Sequence, residues 1–86
     1  MKKTVEAETG TPRTLMQAHE ELVRIRPARD APPHVWLGYY ERSVSLYQLI
    51  AQIDPGHNGE ARYWAHREHR RAREIAVRIG AVSTHR

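Results

Sequence analysis

Three histidines in the second half of the chain are spaced so that they could hold a metal ion. His66 and His69 are three residues apart, so both would lie on one side of a helix, and His57 precedes them. Imidazole nitrogens bind zinc, and Glu60 or Glu68 could add a carboxylate oxygen. However, neighbouring guanidinium groups oppose a bound cation, and the chain has no cysteine. The pattern therefore predicts exposed histidines, with no metal and no cofactor.

Arginines give the same segment its strongest electrostatic feature. Residues 57–86 hold seven of the 14 basic residues and three of the ten acidic ones, so they account for the whole net charge of +4. Such a surface could bind an acidic protein or nucleic-acid phosphate. The alternative is a solvated face on which Glu74 pairs with arginines one turn away. The residues predicted to contact a partner or a phosphate are Arg62, Tyr63, His66, Arg70 and Arg73.

Three polar residues are candidates for burial, because they fall at or near the seams between predicted helices. Glu68 lies within an apolar stripe, where an ionised carboxylate is costly unless it is paired. The alternative for Glu68 is contact with a ligand or partner. His19 lies among apolar residues and is predicted to be a seam histidine, since no nucleophile accompanies it for catalysis. Glu68 is predicted to pair with Arg24, Arg26 or Arg42 at the seam, or to reach water where the apolar stripe is splayed. Arg42 is the third burial candidate.

The sequence patterns of common enzyme active sites do not occur in the chain. Ser43 and Ser45 lie in a predicted helix without a nearby base. The motif G-x-S-x-G, glycine-rich phosphate loops and carboxylates paired at hydrolase spacing are all missing. We therefore predict a non-enzymatic protein with no catalytic residues.

Helices must position these side chains, because apolar residues recur every three or four positions and no segment alternates as a strand would. Three helices are predicted, at about residues 12–26, 32–53 and 59–79. Side chains or glycine suited to capping precede the first two helices and follow the third. The predicted caps are Thr11, Asp30 and Gly80.

The last two helices are expected to form an antiparallel hairpin, since Asp54-Pro55-Gly56 breaks any helix between them. The second helix has the widest apolar arc, which includes Trp36 and Tyr47. An arc of that width needs two neighbours. We therefore expect the second helix to lie between the first and the third, with the arginines of the third facing solvent.

A chain of 86 residues is long enough for one small domain, predicted at 11–80, between a disordered tail at 1–10 and a frayed tail at 81–86. A domain of this size buries modest apolar surface, and a homodimer would hide more of it. The chain has no cysteine, no apolar run behind its basic N-terminus and no stretch of roughly 20 apolar residues. A cytoplasmic protein without membrane contact is expected.

The run Tyr40-Glu41-Arg42-Ser43-Val44, continuing to Asp54-Pro55 and then to Glu60-Ala61-Arg62-Tyr63, resembles a tetratricopeptide repeat. Its turn is about one residue too long, and a single unit excludes a repeat array, because stacked repeats need about three units. The resemblance implies hairpin packing and a protein-binding role.

The whole chain also resembles a family of small actinobacterial helical proteins. The resemblance is carried by Leu15-Met16-Gln17-Ala18-His19-Glu20, by Trp36-Leu37 and by Glu60-Ala61-Arg62-Tyr63-Trp64-Ala65. It implies no activity. The sequence therefore predicts an all-α interaction or accessory protein that binds a protein partner through a helical surface. The alternative is a nucleic-acid-associated regulator that uses the arginine-rich face of the third helix.

Overall fold

The computed structural model describes residues 11–84 and contains three α-helices. These are α1 (Leu15–Arg24), α2 (Pro33–Ile53) and α3 (Asn58–Thr84), with a single 3-10 turn at Pro55–His57. No strand occurs in the part of the chain that the structure describes. The predicted all-α class is therefore confirmed. The disordered tail predicted at 1–10 lies outside the described residues.

Helix α1 begins at Leu15, so the predicted start at Pro12 with Thr11 as cap is wrong. The backbone of Thr14 is extended, and its Oγ1 accepts a hydrogen bond of 3.1 Å from the backbone N–H of Gln17. The carboxylate of Asp54 accepts a second bond of 3.1 Å from the N–H of Leu15. Both bonds satisfy donors that the first turn of a helix leaves free, which fixes the start here.

Helix α2 begins at Pro33 and follows Pro32, which makes no side-chain capping bond. The predicted cap at Asp30 is therefore wrong. A proline at the first helical position needs no cap for its own nitrogen, because it has no N–H and its φ already suits the helix. Within α2, the buried hydroxyl of Ser43 donates to the carbonyl of Tyr39 at 2.9 Å.

Helix α3 continues through Gly80 to Thr84, whereas its end was predicted at Ile79. Gly80 does not have the positive φ of a glycine that terminates a helix. A glycine inside a helix costs only about 1 kcal/mol relative to alanine, which is too little to end a long helix. The frayed tail predicted from residue 81 is corrected as far as residue 84, and residues 85–86 lie outside the described part.

The core lies where α1 packs onto the hairpin formed by α2 and α3. Helix α2 packs along α3 and also contacts α1. Helix α1 reaches α3 as well, because the His19 and Trp64 rings lie 5.4 Å apart. The alanines of α3 let the neighbouring helices approach closely. Trp36, which was expected in the core, is only half-buried, and the guanidinium of Arg26 lies 5.7 Å from its ring centroid. The buried cluster consists of Leu15, Ala18, Leu22, Tyr47, Ile50, Ala61 and Ala65.

Candidate partner-binding groove

The two flanks of α3 border different surroundings. Ala61, Ala65 and Ala72 are buried against α2. Trp64 lies on the flank that borders α1, since its ring contacts the His19 ring edge-on at a centroid distance of 5.4 Å. At about 100° per residue, positions 62, 69 and 73 project to the opposite flank. Among residues 11–84, the hairpin therefore has one side covered by α1 and one side that no other helix covers.

The open side of the hairpin carries a groove in two neighbouring segments. One segment is lined by Gln48, Arg62, Ala65, His66 and His69. The other is lined by Glu41, Val44, His69, Ala72, Arg73 and Ala76. His69 borders both, so the two segments are neighbours along the seam between α2 and α3. We call the two segments together the hairpin groove.

The hairpin groove has an apolar floor and a mostly cationic rim. Ala65 and Ala72 are buried in the floor, and Val44 is half-buried beside them. The guanidinium groups of Arg62 and Arg73 are exposed on the α3 rim. Arginine stays charged at any physiological pH, so this charge is permanent. A surface of this kind can bind a segment that presents apolar side chains flanked by carboxylates.

The structure brings together only some of the residues predicted to contact a partner. Arg62, His66 and Arg73 line the hairpin groove. Arg70 lies on the outer surface of α3, in a shallow recess that Arg73 also borders. Tyr63 is 61% exposed, as expected, but its ring packs against Trp64 at 5.4 Å, away from the groove.

Glu68 is buried, with 7% of its surface exposed, but its partner differs from the predicted ones. Its carboxylate accepts a hydrogen bond of 2.8 Å from Nη1 of Arg67, whose guanidinium lies 5.4 Å from the centroid of the Trp64 ring. Arg42 is exposed, so its predicted burial is wrong. Arg42 precedes buried Ser43, so its side chain projects about 100° away from that of Ser43 around the helix and faces solvent.

The other two predicted partners of Glu68 are also engaged elsewhere. Arg24 forms an ion pair of 2.8 Å with Glu21, three residues earlier on α1. Arg26 lies over the Trp36 ring at the far end of α2. The pairing of Glu68 with a neighbour on its own helix therefore replaces the predicted contact between helices.

His19 is half-buried at the junction of all three helices. Its Nδ1 lies 2.7 Å from the phenolic oxygen of Tyr47, and its ring meets the Trp64 ring edge-on. Burial, followed by the negative charge of Glu68, raises the pKa of Tyr47 from 10.0 to about 12. The phenol therefore keeps its proton at neutral pH, and the tautomer of His19 sets which of the two groups donates the bond.

His57 lies away from the other two histidines of the predicted cluster. Its Nδ1 is 3.1 Å from Oδ2 of Asp54, and both residues belong to the turn before α3. The bond from the backbone N–H of Leu15, followed by the bond to His57, lowers the pKa of Asp54. Among residues 11–84, no three histidine, aspartate or glutamate side chains are grouped as metal ligands.

The α2 wall of the groove was not predicted from the sequence. Glu41, Val44 and Gln48 line that wall. The pairing of the two antiparallel helices could have identified this wall, because a tight turn at residues 54–58 places position 48 opposite positions 62–66. Periodicity within one helix does not contain that information.

No protein-family model matches this chain, and comparisons with curated proteins and with solved structures found no match either. Nowhere in the described range does a helix combine the length and apolar character needed to cross a membrane. The geometry and charge of the hairpin groove are therefore the features from which a function can be inferred.

Proposed function

We propose that this protein is a non-enzymatic interaction protein whose hairpin groove binds an acidic amphipathic helix of a partner protein. The observation that carries the proposal is the combination of an apolar floor with permanent positive charge along one rim. The apolar floor includes Ala65 and Ala72, and the charges belong to Arg62 and Arg73. Helices commonly bind in such grooves through apolar residues spaced at i, i+3, i+4 and i+7.

The spacing of the rim charges suits a helical partner. Arg62 and Arg73 are eleven positions apart, which corresponds to about 16 Å along α3. A partner helix lying along the groove covers that distance in about three turns. Carboxylates near the two ends of such a helix can each meet one guanidinium, while apolar side chains between them pack on the floor.

A protein partner explains more of the groove than a nucleic acid does. Phosphate binding depends on cations, and it leaves an apolar floor without a role. The alternative function, a nucleic-acid-associated regulator, uses the same arginines. Binding measurements with peptides and with duplex DNA distinguish the two functions.

The test is fluorescence anisotropy with a labelled synthetic peptide about five helical turns long. The peptide carries leucines on one face and glutamates on the rest. A second peptide has lysine in place of every glutamate, and duplex DNA is the third probe. We expect the acidic peptide to bind and the lysine peptide to fail. We also expect the double variant Arg62→Glu with Arg73→Glu to weaken binding by about tenfold or more.

The matched control is the double variant Arg13→Glu with Arg29→Glu. Both residues are exposed and lie outside the groove, so this variant makes the same change in net charge. An equal loss of peptide affinity in the two double variants would mean that long-range charge attraction alone causes binding. That outcome would contradict the proposed binding site in the groove. If duplex DNA alone binds, with affinity falling steeply between about 50 and 200 mM salt, the nucleic-acid function replaces the one proposed.

A further inference from the structure

A second surface lies on the opposite side of the hairpin, along the border between α1 and α3. On α1, Met16, Glu20 and Val23 follow one another at spacings of four and three, so they form one strip. All three are exposed, Met16 by 70% and Val23 by 72%. His19 belongs to the same strip and contacts Trp64, which places the strip beside α3.

The α3 border of this surface is aromatic and basic. Tyr63 is 61% exposed and leans against the Trp64 ring. Arg67 and Arg71 follow Trp64 at i+3 and i+7, so they lie on the same flank of α3. We call the surface that these two borders form on either side of the contact between His19 and Trp64 the α1–α3 cleft. Its α1 border is apolar with one carboxylate, and its α3 border carries a tyrosine and two guanidinium groups.

We propose that the α1–α3 cleft is the interface of a homodimer, in which a second copy of this chain occupies the cleft. A two-fold axis along the cleft places α1 of each copy over α3 of the other. Glu20 then meets Arg67 and Arg71 of the second copy, because the cleft carries opposite charges on its two borders. A two-fold interface requires such a self-complementary surface, since each contact occurs twice.

The apolar side chains of the cleft support the same occupant. Met16 and Val23 of one copy come to lie over Tyr63 of the other, and all three leave water on association. Large apolar side chains exposed together are typical of interaction surfaces. This inference is independent of the hairpin groove, because the cleft and the groove lie on opposite sides of the hairpin.

Sedimentation equilibrium of the full chain tests the proposal over a range of concentrations. We expect a mass that rises from the 10.0 kDa of one chain toward that of two. The single variants Glu20→Arg and Arg71→Glu should each weaken the dimer by about tenfold, because each change occurs twice in a two-fold interface. The chain that combines both changes should recover part of the lost affinity, since positions 20 and 71 then exchange their charges while Arg67 stays basic.

Matched controls carry the same charge changes on the other side of the hairpin. Glu41→Arg and Arg73→Glu lie in the hairpin groove and should leave dimerisation unchanged. Circular dichroism shows whether each variant is folded, and Val23→Arg provides a further exposed substitution that should weaken the dimer. A wild-type chain that stays monomeric at every concentration overturns the proposal. A dimer whose dissociation constant is unchanged by Glu20→Arg, Arg71→Glu and Val23→Arg overturns the proposal as well.

The two proposals fail independently. Loss of the dimer in Glu20→Arg should leave binding of the acidic peptide unchanged, because the groove does not include Glu20. Conversely, failure of the peptide to bind says nothing about the mass of the chain in solution.

Discussion

The imidazole Nδ1 of His19 lies 2.7 Å from the phenolic oxygen of Tyr47, and this bond joins α1 to α2. Two further bonds hold α1 along its length. Tyr39 donates from its hydroxyl to the carbonyl of Leu22 at 3.0 Å, and Asp54 accepts from the N–H of Leu15 at 3.1 Å. Side chains of α2 and its following residue therefore position α1 at both ends and in the middle.

Removal of the Tyr47 hydroxyl should loosen this attachment. We expect Tyr47→Phe to lower the free energy of unfolding by about 1 kcal/mol, because His19 then loses its hydrogen-bond partner in a half-buried position. Urea denaturation followed by circular dichroism measures the change. Tyr63→Phe is the control, since Tyr63 is largely exposed and should show no effect. Equal stability of Tyr47→Phe and the wild type would contradict the importance of the bond.

Alkaline pH should destabilise the fold through the same tyrosine. The pKa of Tyr47 is raised from 10.0 to about 12 in the folded chain, so the unfolded chain loses this proton more readily. Stability should therefore fall as the pH rises from about 10 toward 12. Urea midpoints at neutral pH and across this range measure the decline. The decline should be shallower in Tyr47→Phe, and an identical slope would show that other groups cause it.

Acidic pH should weaken the attachment of α1 through Asp54. Its pKa lies below the ordinary 3.8 in the folded chain, so its contribution is present above that value. The contribution is lost as the pH falls through the lowered pKa of the folded state. We expect Asp54→Asn to be less stable than the wild type at neutral pH, with the difference shrinking on acidification. Thermal unfolding of both chains at neutral pH and at a pH below 3.8 measures this difference in stability. A difference that stays constant between the two would contradict the role of the Asp54 carboxylate.

Trp64 should be more important for stability than the arginines of the groove. Its ring contacts His19, Tyr47 and the guanidinium of Arg67, so Trp64→Ala leaves a cavity among all three. We expect a loss of about 3 kcal/mol or more, and almost none for Arg73→Ala, which is exposed. Urea denaturation compares the two variants. A greater loss in Arg73→Ala would mean that the faces of α3 are assigned incorrectly.

Trp36 illustrates where the sequence-based prediction was too strong. Its apolar neighbours on α2 suggested a core position, yet the structure leaves it half-buried beside Arg26. Helix α1 ends at Arg24, so no helix of the described range 11–84 covers the first turn of α2 on that side. The stability cost of Trp36→Ala should accordingly be smaller than that of Trp64→Ala.

Local sequence patterns alone account for the helices, the turn between α2 and α3, and the outward direction of most arginines. These features depend on periodicity and local breakers, which are properties of a single segment. Asp54-Pro55 ends α2 because a proline restricts the residue before it, whatever the rest of the fold does. The exposure of Arg70 and Arg73 follows in the same way from their positions opposite the alanine stripe.

Only the tertiary structure decided which side chains meet across helices. The pairing of Glu68 with Arg67, the bond between His19 and Tyr47, and the α2 wall of the groove depend on register and on the side from which α1 packs. Several registers bury the same apolar stripes almost equally well, so periodicity cannot choose among them. The choice comes from side-chain shape and from polar groups that must find partners once they are buried.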